Sequence, residues 1–111
     1  MTDDDKATVK EFKQVVNMPP KRLADWLTTN DSRRVGQKRG GKGESTGHGS
    51  GRRIVGLKKK RQADLTAADL AHMRKVVGYV RRHLAQRPAG DVRDTAWRYS
   101  LMNWGHDPLK T

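Results

Sequence analysis

The sequence predicts a small all-α domain of about four helices with a long, basic, glycine-rich flexible loop in its middle. Two observations carry this prediction: apolar residues recur at helical spacing on both sides of the middle, and the middle itself has few apolar residues. The 111 residues suit one small domain. Leu, Ile, Val and Phe total only 19 residues and the net charge is +12, so part of the chain is expected not to fold alone.

A helical pair is predicted for residues 1–35. Apolar residues at helical spacing and an acidic N-terminal cluster predict a first helix over about 5–16, because carboxylates suit the positive end of the helix dipole. Pro20 favours the start of a second helix, since proline is tolerated at the first helical position. That helix is expected over about 20–28.

A second helical pair is predicted for residues 62–111. Its first helix, over about 66–87, starts with a capping-box pattern at Thr66 and contains the most regular apolar stripe, formed by Leu70, Met73, Val77, Val80 and Leu84. The last helix is expected over about 91–104, with Gly105 as its stop. Because its apolar residues occupy two faces, this helix is expected at the centre of the core.

The positive charge is concentrated in the middle of the chain. Residues 32–61 contain eleven basic side chains and one acidic side chain, whereas residues 1–31 have a net charge of −1 and residues 62–111 a net charge of +3. Residues 36–61 form a basic, glycine-rich segment with too few apolar side chains to offset the entropy cost of ordering. We therefore expect a loop in this segment, with residues of about 36–53 flexible.

Basic clusters spaced by glycine are suited to contact with the phosphates of a polyanion, with weak sequence specificity and a steep salt dependence. A solvated loop or a localisation signal would have a similar composition. The first set of predicted contact residues lies in or beside the loop: Arg33, Arg34, Lys38, Arg39, Lys42, Arg52, Arg53, Lys58, Lys59, Lys60 and Arg61. The second set lies on the long helix around Gly78: Arg74, Lys75, Arg81 and Arg82.

Neither a cofactor nor an enzymatic activity is expected. The segment from Gly36 to Gly43 resembles the phosphate-cradling loop of nucleotide hydrolases, but Gly43 stands where that loop needs a magnesium-binding Ser or Thr. The four histidines lack the spacing of metal ligands, so structural or surface roles are expected for them. The chain has no cysteine, and its acidic residues lie mostly at helix starts, where capping explains them.

The expected function is that of a small nucleoid-associated or accessory DNA-binding protein. Duplex DNA is favoured over RNA because the basic segment has no aromatic side chain to stack on bases. The alternatives are an RNA-binding module or an interaction module that docks on an acidic protein. A homodimer is compatible with the apolar stripe. No membrane span is expected, and the location is expected to be cytoplasmic, at the nucleoid in a bacterium or nuclear in a fungus.

Three motifs resemble a family of small basic proteins of unknown function, found in bacteria and some fungi and often labelled DNA-binding. The motifs are Trp26-Leu27-Thr28 with Ser32 and Val35-Gly36, then Tyr79-Val80-x-Arg82-His83-x-Ala85-Gln86-x-Pro88, and finally Trp97-x-Tyr99-Ser100-Leu101-Met102-Asn103-Trp104-Gly105-His106-Asp107-Pro108. The resemblance covers most of the chain from about Glu11 onward, and it implies DNA contact. It assigns no functional residue.

Overall fold

A computed structural model describes residues 1–35 and 46–110, and within these ranges it contains six α-helices, one short 3₁₀ turn and no strand. The all-α prediction is confirmed. The helices are α1 (Asp3–Val15), α2 (Pro20–Leu27), α3 (Asn30–Arg34), α4 (Thr46–Lys59), α5 (Ala67–Leu84) and α6 (Ala96–Asn103), and the 3₁₀ turn is Gln62–Asp64.

The prediction of a loop over residues 36–61 is wrong where α4 forms. Ile54 and Leu57 lie three residues apart on one face of α4 and are buried in the core. Gly51 is also buried, and a Cβ there would lie only 2.4 Å from the backbone oxygen of Asn103. Glycine lowers helix propensity, but here burial against other helices outweighs that cost. The predicted loop residues 36–45 lie outside the described part of the chain.

The predicted capping box at the start of α5 is confirmed, and α1 begins with a capping box that the sequence analysis did not predict. The hydroxyl of Thr2 accepts a hydrogen bond from the N–H of Asp5, and the hydroxyl of Thr66 accepts one from the N–H of Asp69. In both boxes the aspartate also accepts from the backbone N–H of the threonine. These reciprocal bonds satisfy donors that have no partner inside the helix. Pro20 opens α2 as predicted.

The predicted start of the last helix is wrong by several residues. Asp91 does not cap α6, because its carboxylate accepts a hydrogen bond from the N–H of Arg93 in a short turn, at 2.9 Å. The cap is Thr95, whose hydroxyl accepts from the N–H of Arg98 at 3.2 Å. The predicted stop is confirmed, since Gly105 follows the helix with a φ of +81°, a conformation that favours glycine.

The helices pack in two pairs around α6. α1 lies against α5, α2 lies against α4, and α6 contacts α2, α3, α4 and α5. The central position predicted for the last helix is therefore confirmed. Its buried side chains include Trp97, Leu101 and Met102, and the core is completed by apolar residues from every helix except α3.

A buried asparagine holds the short helix α3 to the core. The side-chain oxygen of Asn103 accepts hydrogen bonds from Nε1 of Trp26 at 2.8 Å and from Oγ of Ser32. Its amide nitrogen donates to the backbone oxygen of Ser32 at 2.9 Å. Asn103 and Ser32 are almost inaccessible to solvent, so losing either one would leave buried polar atoms unpaired. These residues of the sequence motifs have a structural role.

The segment after α6 is bonded to the turn after α1. Asn17 exchanges two hydrogen bonds with the backbone of Asp107, at 2.8 and 3.0 Å, and the N–H of Met18 donates to the oxygen of Gly105. Burial raises the pKa of Asp107, but hydrogen bonds from Arg98 and the N–H of Leu109 outweigh it and place the pKa below its usual value. The turn after α1 is thus locked to the segment that follows α6.

Five rings stack in a row along α5 and α6. Tyr79 lies 4.2 Å from Trp104 and 5.3 Å from His83, centroid to centroid, with each ring pair within about 15° of parallel. His72 extends the row beyond Trp104, and Trp97 extends it beyond His83. His72 also bonds Ser50 through Nε2, and His83 bonds the backbone of Trp97. These rings therefore hold the helices together.

Candidate nucleic-acid interface

The outward face of α4 is cationic. Arg52, Arg53 and Lys59 are exposed, and at about 100° per residue they span about 120° of the helix circumference. Gly56 lies at the middle of this arc. α4 has no acidic residue along its whole length. We call Arg52, Arg53, Gly56 and Lys59 the α4 cationic face.

Among the described residues, none packs against Gly56 closely enough to require a glycine. A Cβ at this position would have no atom of the described residues within 4 Å, beyond its own helix backbone and chain neighbours. Gly51, one and a half turns earlier, differs because a Cβ there would meet Leu27 and the Asn103 backbone. A glycine inside a helix costs about 1 kcal/mol relative to alanine. At Gly56 that cost is not offset by packing, and the helix backbone is left bare between cations.

Carboxylates pair with one cation of this face, Arg53, and with the two cations that follow α4, Lys60 and Arg61. Asp69 of α5 lies 3.5 Å from Arg53 and forms a hydrogen-bonded ion pair with Lys60. Hydrogen bonds from Lys60 and from the Thr66 backbone lower the pKa of Asp69 far below its usual value. Arg61 pairs with the exposed carboxylate of Asp64, three residues on. The exposed pair of Arg61 and Asp64 contributes only about 0–1 kcal/mol, so Arg61 can exchange this carboxylate for a phosphate, whereas the carboxylate of Asp69 is buried and its pairs are not of this weak kind.

Lys58 does not belong to the α4 cationic face. It lies about 160° around the helix from Gly56, and its Nζ donates a hydrogen bond to the backbone oxygen of Val16 at 3.1 Å. Burial lowers the pKa of Lys58, and repulsion from Lys110 and Lys13 lowers it further. The sequence prediction grouped Lys58 with its neighbours, but the structure separates it from them.

The structure brings an α3 arginine beside the α4 cationic face. Arg33 and Arg52 line the same surface groove of about 340 Å³ between α2 and α4. His48 of α4 also lines this groove. Nε2 of His48 lies 2.6 Å from the backbone oxygen of Leu27 at the end of α2. Arg34 is turned to its own helix, where it pairs with Asp31 at 2.7 Å. The predicted residues Lys38, Arg39 and Lys42 lie outside the described residues.

The cations predicted on α5 have different surroundings. Arg74 pairs with Asp5 of α1, and Arg81 pairs with Glu11 of α1, both at 2.9 Å. Arg82 folds over its own helix, with Nη1 only 3.1 Å from the position that a Cβ at Gly78 would occupy. The Arg82 side chain therefore covers the helix backbone at Gly78 in this arrangement.

One α5 cation faces the same region as α4. Lys75 is exposed, and its charge acts on His72 together with that of Arg53. Burial, followed by repulsion from Arg53 and Lys75, lowers the pKa of His72, while Asp69 opposes them. Lys75 therefore extends the positive region at the junction of α4 and α5.

The family model described as "Protein of unknown function (DUF3140)" matches residues 11–102 of the chain. The chain belongs to this family. No curated protein and no solved structure has detectable similarity to it. The motif residues Trp26, Ser32, Tyr79, His83 and Trp97 lie within the matched range, and in the structure they pack or bond to other parts of the fold.

Within the described ranges of this DUF3140 chain, no helix has the length and hydropathy needed to cross a bilayer. The same ranges contain no cluster of three or more potential metal ligands.

Sequence reasoning missed Gly56 as the centre of the α4 cationic face. The signal was present: Ile54 and Leu57 are apolar at helical spacing, and extending a helix through them puts Gly56 between Arg52 and Lys59. The glycine content of the segment outweighed this short pattern.

Proposed function

We propose that this DUF3140 protein binds duplex DNA through its phosphate backbone, without sequence specificity, as an accessory protein of the nucleoid. The observation that carries the proposal is Gly56, a helical glycine with open space around it at the centre of the α4 cationic face. Glycine lets a helix backbone approach a ligand closely, and cations on both sides supply the charge that phosphates attract.

The placement of the aromatic residues supports duplex over single-stranded DNA. Proteins that bind single strands stack bases on exposed aromatic rings. Here Trp97 and Trp104 are buried, and Tyr79 is stacked between Trp104 and His83. Trp26 is bonded to Asn103 and packed against Tyr99. Binding to the phosphate backbone of a duplex needs none of these rings.

The salt dependence of binding tests the proposal. Fluorescence anisotropy of a labelled 20-base-pair duplex is measured over a salt series for the full chain and for a double variant, Arg52→Gln with Lys59→Gln. We expect the slope of log K against log salt to become shallower by about 0.9 for each phosphate that the variant no longer neutralises. Single-stranded DNA and duplex RNA of the same length are titrated in parallel, and weaker binding is expected for both.

The matched control removes the same charge elsewhere. Lys6→Gln with Lys10→Gln changes two exposed lysines of α1 and leaves α4 intact. We expect the control to retain the slope of the unmodified chain. An equal reduction of the salt slope in both variants would mean that the slope depends only on the net charge of the protein. That result would overturn the assignment of DNA contact to α4. Absence of binding to every polymer at low salt would overturn the nucleic-acid proposal itself and favour an acidic protein partner.

A further inference from the structure

Asp69 is a buried carboxylate that makes more contacts than a helix cap requires. It lies in the first turn of α5, where Oδ2 accepts a hydrogen bond from the N–H of Thr66 at 3.0 Å and completes the capping box. The same carboxylate contacts two cations: Oδ1 lies 3.5 Å from Nη2 of Arg53, and Oδ2 accepts a hydrogen bond from Nζ of Lys60. A capping box needs only the bonds between the aspartate and the threonine. The contacts with Arg53 and Lys60 are therefore additional to the cap.

Arg53 and Lys60 are each held on one side and accessible on the other. The side chain of Arg53 is 45% exposed and that of Lys60 is 39% exposed, whereas the side chain of Asp69 is only 10% exposed. A guanidinium has five N–H donors and an ammonium has three, so contact with one carboxylate leaves donors for a further acceptor. Because one carboxylate of α5 contacts both cations, both are fixed on the side of α4 that faces α5.

Fixing a cation in advance changes what it can recognise. Long Arg and Lys side chains lose rotamer freedom when they bind, and a partner that already holds them reduces this loss. Fixed cations can match the regular phosphate spacing of a duplex, whereas a flexible single strand adapts equally well to cations that move. Hydrogen bonds from Lys60 and from the Thr66 N–H keep the pKa of Asp69 far below its usual value. The carboxylate that holds the two cations is therefore ionised near neutral pH.

We propose that Asp69 is a positioning residue for DNA binding, which fixes Arg53 and Lys60 in an arrangement that favours a duplex over a single strand. This inference rests on the proposed function and adds a residue that determines the choice between two polymers. Removing a negative charge near the interface by itself raises affinity for every nucleic acid, and most for the duplex, which has the higher charge density. Loss of positioning instead lowers the preference for the duplex, so the two effects have opposite signs.

The variant Asp69→Asn separates positioning from charge. Asparagine keeps an oxygen that can accept the Thr66 N–H, but it loses the charge that holds the two cations. Fluorescence anisotropy gives the dissociation constants of a labelled 20-base-pair duplex and of a single strand of the same length at one salt concentration. We expect the preference for the duplex to fall about threefold or more. The control Asp64→Asn removes an exposed carboxylate that pairs with Arg61, and it is expected to retain the duplex preference.

Two outcomes separate this inference from the proposed function. An unchanged or increased duplex preference in Asp69→Asn, with circular dichroism showing the variant to be folded, would overturn the positioning role alone. Equal dissociation constants for duplex and single strand in the unmodified chain would overturn the positioning role together with the proposed preference for duplex DNA.

A second pair of variants leaves the cap of α5 intact. Arg53→Gln and Lys59→Gln each remove one cation of the α4 cationic face, but Lys59 forms no ion pair with a carboxylate of residues 1–35 and 46–110. A cation that is not held can follow either polymer, so Lys59→Gln is expected to weaken binding of both by a similar factor. Arg53→Gln is expected to lower the duplex preference about threefold. Equal duplex preferences in these two variants would overturn the role of Asp69 even if Asp69→Asn does not fold.

Discussion

α4 and α5 are both rich in cations, and each has a glycine among them, yet their surroundings differ. On α5, Arg74 and Arg81 pair with carboxylates of α1, and Arg82 covers Gly78. On α4, Arg53 also lies near a carboxylate, Asp69 of α5, but Gly56 is open to solvent, and Arg52 and Lys59 are exposed on either side of it. A cationic helix face is therefore not in itself an interface. The feature that distinguishes α4 from α5 is the bare backbone at Gly56, which an outside ligand can approach closely.

The largest effect is expected from removing the apolar side of α4. Ile54→Ala deletes a fully buried side chain and is expected to destabilise the protein by about 2–5 kcal/mol. Urea unfolding followed by circular dichroism measures the change. Val55→Ala, at a half-buried position beside it, is the control and should cost clearly less. A destabilisation below about 0.5 kcal/mol for Ile54→Ala would mean that α4 does not belong to the core.

The two glycines give the sharpest test of the comparison. Gly56→Gln places a side chain at the centre of the α4 cationic face and is expected to weaken DNA binding about tenfold, while helix propensity raises stability by about 0.5–1 kcal/mol. Gly78→Gln is expected to leave DNA affinity nearly unchanged. Anisotropy and urea unfolding of both variants provide the two readouts. Unchanged DNA affinity in Gly56→Gln would mean that DNA does not approach the α4 backbone closely at Gly56, and that part of the proposed function would be overturned.

A smaller effect is expected from the ion pair between α1 and α5. Arg81→Gln and Glu11→Gln, alone and together, are expected to give a coupling energy of about 0.2–1 kcal/mol, because both side chains are well exposed. Thermal unfolding of the four proteins measures it. DNA affinity should fall less in Arg81→Gln than in Arg52→Gln. The reverse order would place the interface on α5.

The smallest effect concerns pH. Burial lowers the pKa of both His72 and His83, so the unfolded chain takes up their protons first as the pH falls through about 6.5. Stability is therefore expected to be retained above about pH 7 and to decline towards about pH 5.5. Urea midpoints at the two pH values measure the decline. His72→Asn should make it shallower, and equal midpoints in the unmodified chain would contradict the mechanism.

The sequence predicted best the helices whose signals are local. α5 has a capping box at Thr66 and a long apolar stripe, and both lie within a few turns of each other. α4 has glycines along its length, and its stability comes from Ile54 and Gly51 fitting against distant helices. Tertiary packing overrides propensity in such a segment, and the only short-range signal, the apolar spacing of Ile54 and Leu57, is outweighed by the glycines around it.

The cations of the candidate site were predictable from the sequence, but their arrangement in space was not. The concentration of positive charge and the residues Arg52, Arg53 and Lys59 could be read from composition. Their separation from Lys58 depends on which side of a helix faces the core, and the pairing of Arg81 with Glu11 depends on contact between residues seventy positions apart. Neither is encoded in local spacing.

The bonds between Asn17 and Asp107 have a consequence for synthesis in the cell. These residues are 90 positions apart, and Asn103 similarly reaches back 71 positions to Ser32. A ribosome releases the early helices long before residues 103–107 emerge. Until then α1, α2 and α3 lack the partners that lock their ends, so this part of the nascent chain completes its fold only after residues 103–107 have left the ribosome.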